Sequence, residues 1–138
     1  RPTTLDEHGL TKTISWLCSE FNTLHKNIGL ECRVDVDEED VPAPLKTILY
    51  RVIKDGLDSI GKLAQADHVS LTISRSNDTL QLLMEDNAVA YHPANAEKGS
   101  EQNIALSSVR ERIVLTGGSF NVASNRKGGT VMTAEWPC

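Results

Sequence analysis

Asp55 and Ser59 stand four residues apart in a run of helical periodicity, and Leu63 follows one turn later, so the three share a helix face. That face is offset from the apolar stripe of the same run and is predicted to look away from the core. A carboxylate followed one turn later by a small oxygen-bearing side chain can hold Mg²⁺, which takes a few protein oxygens and completes its shell with phosphate and water. The pattern also fits a solvated helix face, and periodicity alone favours that plainer reading.

Asp86 closes a strand-like run and opens the segment Asp86-Asn87-Ala88-Val89-Ala90. A carboxylate at such a point can accept a hydrogen bond from an exocyclic amine such as that of adenine. Glycines behind it would let the backbone lie against a flat ring, but Ala88 and Ala90 occupy those places. Where the backbone needs φ > 0, each alanine costs roughly 1–2 kcal/mol. Taken alone, an aspartate after a strand is a turn residue.

Two further stretches complete the candidate set. Asn103-Ile104-Ala105-Leu106-Ser107-Ser108 runs into a helix whose start offers N–H groups to a phosphate. β-Carbons stand where a close phosphate would want glycine, and Ser107 or Ser108 can simply cap the helix. Gly128-Gly129-Thr130 enters the last strand and by itself is a hairpin turn.

These residues need elements to hold them. Leu10, Ile14, Leu17, Phe21 and Leu24 form a helical stripe within 9–26, with Thr4 or Asp6 as its N-cap and Gly29 marking its end. Residues 30–36 alternate as a strand. The acidic run over 35–40 is predicted to be a solvated loop, and Pro42 and Pro44 lead into the clearest helix. There Leu45, Ile48, Leu49, Val52, Ile53, Gly56, Leu57 and Ile60 give a broad buried face. Strands are predicted at 68–74 and 79–86, turning at Ser76-Asn77-Asp78, and at 119–124 and 130–135, turning at 125–129. A third helix is predicted over about 106–115, ending at Gly117-Gly118. Between 87 and 103 there is no periodicity, and a loop that long is more often a lid than a spacer. This order predicts an α/β two-layer sandwich: a mixed, mostly antiparallel sheet of about five strands, covered on one face by three helices.

Composition sets the outer limits. The 138 residues suit one domain spanning 1–138, and 39% hydrophobic with 24% charged residues is ordinary for a globular protein. No apolar run approaches the ~20 residues of a membrane span. The net charge of −5, with no basic cluster beyond Arg126-Lys127, argues against nucleic acid as a partner. Cys18, Cys32 and Cys138 are odd in number and widely spaced, which suits a reducing compartment rather than a disulfide framework. The four histidines lack metal-ligand spacing. Arg1 in place of Met is what a piece of a longer protein would show.

In this order and spacing the elements resemble the ATP-binding catalytic domain of two-component sensor histidine kinases, whose Bergerat fold is shared with DNA gyrase. The flavour is that of the nitrate/nitrite and hexose-phosphate sensors. The resemblance covers essentially the whole chain. It rests on Arg1-Pro2-x-x-Leu5-Asp6-x-x-Gly9-Leu10, Tyr50-Arg51-Val52-Ile53, Arg110-Glu111-Arg112, Gly117-Gly118 and Gly128-Gly129-Thr130. The ordered set carries it, not any one motif. The Arg-Pro opening disfavours another branch of the fold, such as an anti-sigma-factor-like ATPase.

The resemblance implies a role for each candidate. Asp55 stands where the family has a catalytic glutamate, Ser59 at the Mg²⁺-binding asparagine, and Leu63 at a basic residue near the phosphates. Asp86 matches the aspartate that reads adenine, and Thr130 the threonine that supports it through water. Ala88 and Ala90 replace glycines of the adenine loop. Asn103, Ala105 and Ser108 replace glycines of the box that closes over the phosphates. The cofactors implied are ATP and Mg²⁺, with the adenine anchor kept and the phosphate end eroded, so ATP binding is predicted to be weak or lost. Residues 1–9 become the connector from upstream dimerisation and phosphoacceptor helices, through which a homodimer would form, and His8 is a bystander. A response regulator is the implied partner, and the implied setting is the bacterial cytoplasm, with no membrane contact by this domain and the parent protein inner-membrane anchored or not. Alternatives within the resemblance are an active protein-histidine kinase domain and a non-catalytic dimerisation or regulator-docking module.

Overall fold

Two parallel strands need a crossover between them, and the longest helix of the chain supplies it. In the computed structural model, which describes residues 5, 8–63, 66–87, 101–124 and 129–138 and the side chains of these except 62–63 and 101–107, β1 (Gly29–Asp35) runs parallel to β2 (His68–Ser76). Helix α2 (Ala43–Leu63) fills the connection. Pro44 sits in its first turn, where a missing N–H costs nothing. β3 (Thr79–Asp86) returns antiparallel to β2 through a turn in which Asn77 takes φ 57°, and β5 (Thr130–Pro137) and β4 (Ser119–Ser124) extend the sheet antiparallel. The order is β1-β2-β3-β5-β4, a mixed sheet of five strands. With α1 (Leu10–Leu24), α2 and α3 (Glu101–Leu115) it forms the α/β sandwich that the residue pattern predicts.

Alternation fixes which face is covered. Val69, Leu71 and Ile73 of β2, Leu80, Leu82 and Met84 of β3, and Met132, Ala134 and Trp136 of β5 are buried, while their neighbours are partly exposed. Register sets Leu80 opposite Trp136, Leu82 opposite Ala134 and Met84 opposite Met132, so these rows form one apolar floor. Leu49, Val52, Ile53 and Leu57 of α2 and Leu10, Ile14 and Phe21 of α1 close over it. Fully burying such side chains contributes about 1.5–3 kcal/mol each.

The proposed caps Thr4 and Asp6 lie outside the described residues, and three other expectations need correction. A side chain of the acidic run sits on the start of α1. Glu38, in a 3-10 turn (Glu38–Asp40), accepts the Leu10 N–H at 2.9 Å and the Thr11 N–H at 3.0 Å, with the Lys46 ammonium 2.9 Å away. The acidic run is therefore not merely solvated. Burial pulls the Glu38 pKa up, but those two N–H groups and Lys46 outweigh it and hold it at about 2.

Helix α1 stops at Leu24, with Gly29 already in β1. Helix α3 begins at Glu101, not near 106, because nothing in Glu-Gln-Asn-Ile-Ala-Leu breaks a helix once tertiary contacts hold its later turns. Its end is as expected: Gly117 takes φ 86°, which β-carbons resist, and the Gly118 N–H reaches back to Ile113 O at 2.9 Å.

Candidate functional site

Asp86 and Thr130 are direct partners across the β3–β5 ladder. Parity places both on the helix-facing side, because Met84 and Met132, two residues inward on each strand, are buried there. The apolar floor thus ends in a polar pair. Asp86 is half-buried and Thr130 is buried, and among the described residues the Thr130 Oγ1 has no hydrogen-bond partner. A buried hydroxyl without a partner costs on the order of 1–3 kcal/mol. It is tolerated where something else completes it.

Helix α2 passes close above this end of the sheet. A β-carbon on Gly56 would stand 3.1 Å from the Met84 Cε and 3.2 Å from its Sδ. In a β–α–β crossover α2 runs opposite to β2 and so in the sense of β3. One helical turn onward is about 5.4 Å and two strand residues about 6.6 Å. The turn after Gly56 carries the half-buried Ser59 and continues toward the Asp86 end of the sheet.

Asp55 has a different fate. Its carboxylate is paired with the Arg112 guanidinium of α3, locking α2 to α3. No local signal in the sequence marks that contact, since the partners lie 57 residues apart. Arg110, two residues before, lies over the Phe120 ring at 5.1 Å.

Asn87, grouped by sequence with the adenine loop, closes the sheet instead. Its Oδ1 accepts the Asp67 and His68 N–H groups at 3.0 and 3.1 Å, and its Nδ2 donates to the Asp67 carboxylate. Ala88, Ala90, Gly128 and nearly all of the expected lid lie outside the described residues, as do the side chains of Leu63, Asn103 and Ala105. The backbone at 103 and 105 is helical, so Asn103 and Ala105 belong to α3 and not to a loop before it.

The residues fit the two ends of a nucleotide unequally. An orphaned buried hydroxyl beside a carboxylate suits a purine edge that both donates and accepts. At the other end Mg²⁺ wants several oxygens, Asp55 is committed to Arg112, and Ser59 offers one hydroxyl. Among the described residues no group of three or more His, Cys, Asp or Glu side chains can hold a metal ion. The metal end does not fit the side chains described.

Comparisons place the fold. No family model matches the chain. It is 27% identical to the oxygen sensor histidine kinase NreB of Staphylococcus carnosus over 99% of its length, covering 39% of that protein. It is also 27% identical to the signal transduction histidine-protein kinase/phosphatase UhpB of Salmonella typhimurium, covering 99% of this chain and 26% of that protein. Among solved structures it resembles the blue-light activated histidine kinase of Erythrobacter litoralis, with TM-score 0.70 and 22% identity over 93% of this chain and 41% of that one. It also resembles the ATP-binding domain of PrrB from Mycobacterium tuberculosis, with TM-score 0.68 and 16% identity over 92% of each. The class is defined by these likenesses: the fold is that of histidine kinase ATP-binding domains. The chain spans about a quarter to two fifths of the length of NreB and UhpB.

Proposed function

We propose that this chain is the ATP-binding domain of a two-component sensor histidine kinase of the nitrate/nitrite and hexose-phosphate sensor type, with its purine anchor kept and its phosphate end eroded. The observation that carries the reading is the polar pair Asp86 and Thr130, opposed on the helix-facing side of the sheet, with the Thr130 hydroxyl buried and unsatisfied. Asp86 would accept from the exocyclic amine of adenine and Thr130 would complete the contact. ATP, when bound, supplies the transferable phosphoryl group.

Erosion is supported by residue types and by one contact. Ser59 and Leu63 offer less to a metal and a phosphate than an amide and a cation would. Ala88 and Ala90 carry β-carbons into a loop that should hug the ring. Phosphoryl transfer rests on positioning and charge neutralisation, and Asp55 is neutralised by Arg112. That ion pair favours a second reading as well, in which the domain serves its parent protein without catalysis, by docking upstream helices or a response regulator.

Calorimetric titration with ATP·Mg²⁺ tests the proposal. Weak or undetectable binding is expected, with whatever remains lost in Asp86→Ala. Low-micromolar binding that depends on Asp86 would make this an active kinase domain and overturn the erosion. Binding unaffected by Asp86→Ala would overturn the anchor.

A further inference from the structure

Two cysteines on successive elements, Cys18 of α1 and Cys32 of β1, meet where those elements pack. Asn22 of α1 clamps Leu30 of β1 from both sides: its Oδ1 accepts the Leu30 N–H at 3.1 Å and its Nδ2 donates to the Leu30 carbonyl at 3.3 Å. From that clamp Cys18 is four helix residues back, about 6 Å, and Cys32 two strand residues forward, about 6.6 Å. A four-residue connection makes α1 and β1 run in opposite senses, so the two steps end side by side. Each thiol is the strongest polar influence on the other, which makes the two sulfurs neighbours.

Their settings differ in a way that suits a sequence of two reactions. Cys32 is exposed on β1, an edge strand, whereas Cys18 is buried in the core at 4% exposure. The contact with Cys32, then burial, then the charge of Cys32 push the Cys18 thiol up. The contact with Cys18 holds Cys32 below the ordinary thiol range, although burial works against it. The accessible thiol is the one a peroxide reaches first. Its oxidation removes the charge that hinders Cys18, which is then placed to resolve it.

We propose that Cys18 and Cys32 are a redox modification site, closing a reversible disulfide between α1 and β1 when Cys32 meets a peroxide. The Cys32 sulfur attacks one oxygen of hydrogen peroxide, the O–O bond breaks, and the departing hydroxide takes up the thiol proton as water. Cys32 is then a sulfenic acid. The Cys18 sulfur attacks the Cys32 sulfur, the S–O bond breaks as the S–S bond forms, and the hydroxyl leaves with the Cys18 proton as a second water. Two thiols lose two electrons in all, and one peroxide is reduced to two waters.

The staple joins the helix that flanks α2 to the edge of the sheet, closing a loop that the unfolded chain would otherwise sample freely. It should raise the melting temperature by roughly 5–10 °C.

The purified chain, treated with stoichiometric hydrogen peroxide, tests this by intact mass, thiol titration under denaturing conditions and peptide mapping. The expected product is a monomer lighter by about 2 Da, with the three free thiols reduced to one. The linked peptide should join Cys18 to Cys32, and dithiothreitol should release it. Cys138→Ser should react as the native chain does, whereas Cys32→Ser should keep its thiols. Oxygen adducts on Cys32 with Cys18 still free would overturn the proposal. So would linkage through Cys138 or between copies. The peptide map of the native chain decides even if a variant fails to fold.

Discussion

The Asp55 carboxylate of α2 is held by the Arg112 guanidinium of α3, so the residue best placed for phosphate chemistry by sequence is engaged as a helix–helix clasp. With the side chains 40% and 33% exposed, water screens the pair and it contributes at most about 1 kcal/mol. Arg112→Gln should therefore lower stability by no more than that in urea denaturation. It should strengthen Mg²⁺-nucleotide binding by releasing Asp55. A loss of affinity would show that Arg112 itself serves the phosphates.

Restoring the small and amide residues tests whether the pocket is merely eroded. The triple change Ser59→Asn, Ala88→Gly and Ala90→Gly should tighten ATP·Mg²⁺ binding by about tenfold or more, since glycine frees the backbone to lie against a flat ring and an amide is a fuller metal ligand than a hydroxyl. No gain in a calorimetric titration would mean that the scaffold around the pocket has drifted as well.

Thr130 separates stability from binding. Its hydroxyl is buried without a partner among the described residues, so Thr130→Val should leave stability unchanged or raise it by up to about 1 kcal/mol. The same change should weaken adenine nucleotide binding. Chemical denaturation and a titration with adenosine nucleotides read the two effects independently, and a stability loss above about 1 kcal/mol would contradict the packing described.

Glu38 makes a pH prediction. Its folded pKa of about 2 lies below the ordinary 4.5, so its contribution is complete above pH 4.5 and fades as pH falls toward 2. Allowing for partial exposure, Glu38→Ala should cost ~1–2 kcal/mol at neutral pH. Denaturation at pH 7 and pH 3 should show the gap from the native chain narrowing in acid. A gap of constant size would assign the loss to packing and not to the charge.

Much of the fold is legible because alternation and helical spacing are local. Thr79–Asp86 and Ser119–Ser124 are bounded as the residue pattern predicts, and the stripe of α2 is the face that covers the sheet. Helix α3 is misjudged because only Val109 and Ile113 among its described side chains are buried, too few to announce the turns before them. The Glu38 cap is invisible for a different reason. Its partners Leu10 and Thr11 lie 28 and 27 residues away, and an acidic run looks the same whether solvated or capping a helix.

Sequence by itself determined the elements, the covered face of the sheet and the identities of Asp55, Ser59 and Asp86 as candidates, because each follows from periodicity or from residue chemistry, whereas Thr130 entered through the family resemblance. Tertiary structure alone decided what those residues touch. It set Asp86 opposite Thr130, gave Asp55 to Arg112, turned Asn87 into a clasp on Asp67 and His68, and brought Cys18 to Cys32. Pairing between separate elements depends on how layers stack and strands register, and no short window of sequence contains that geometry.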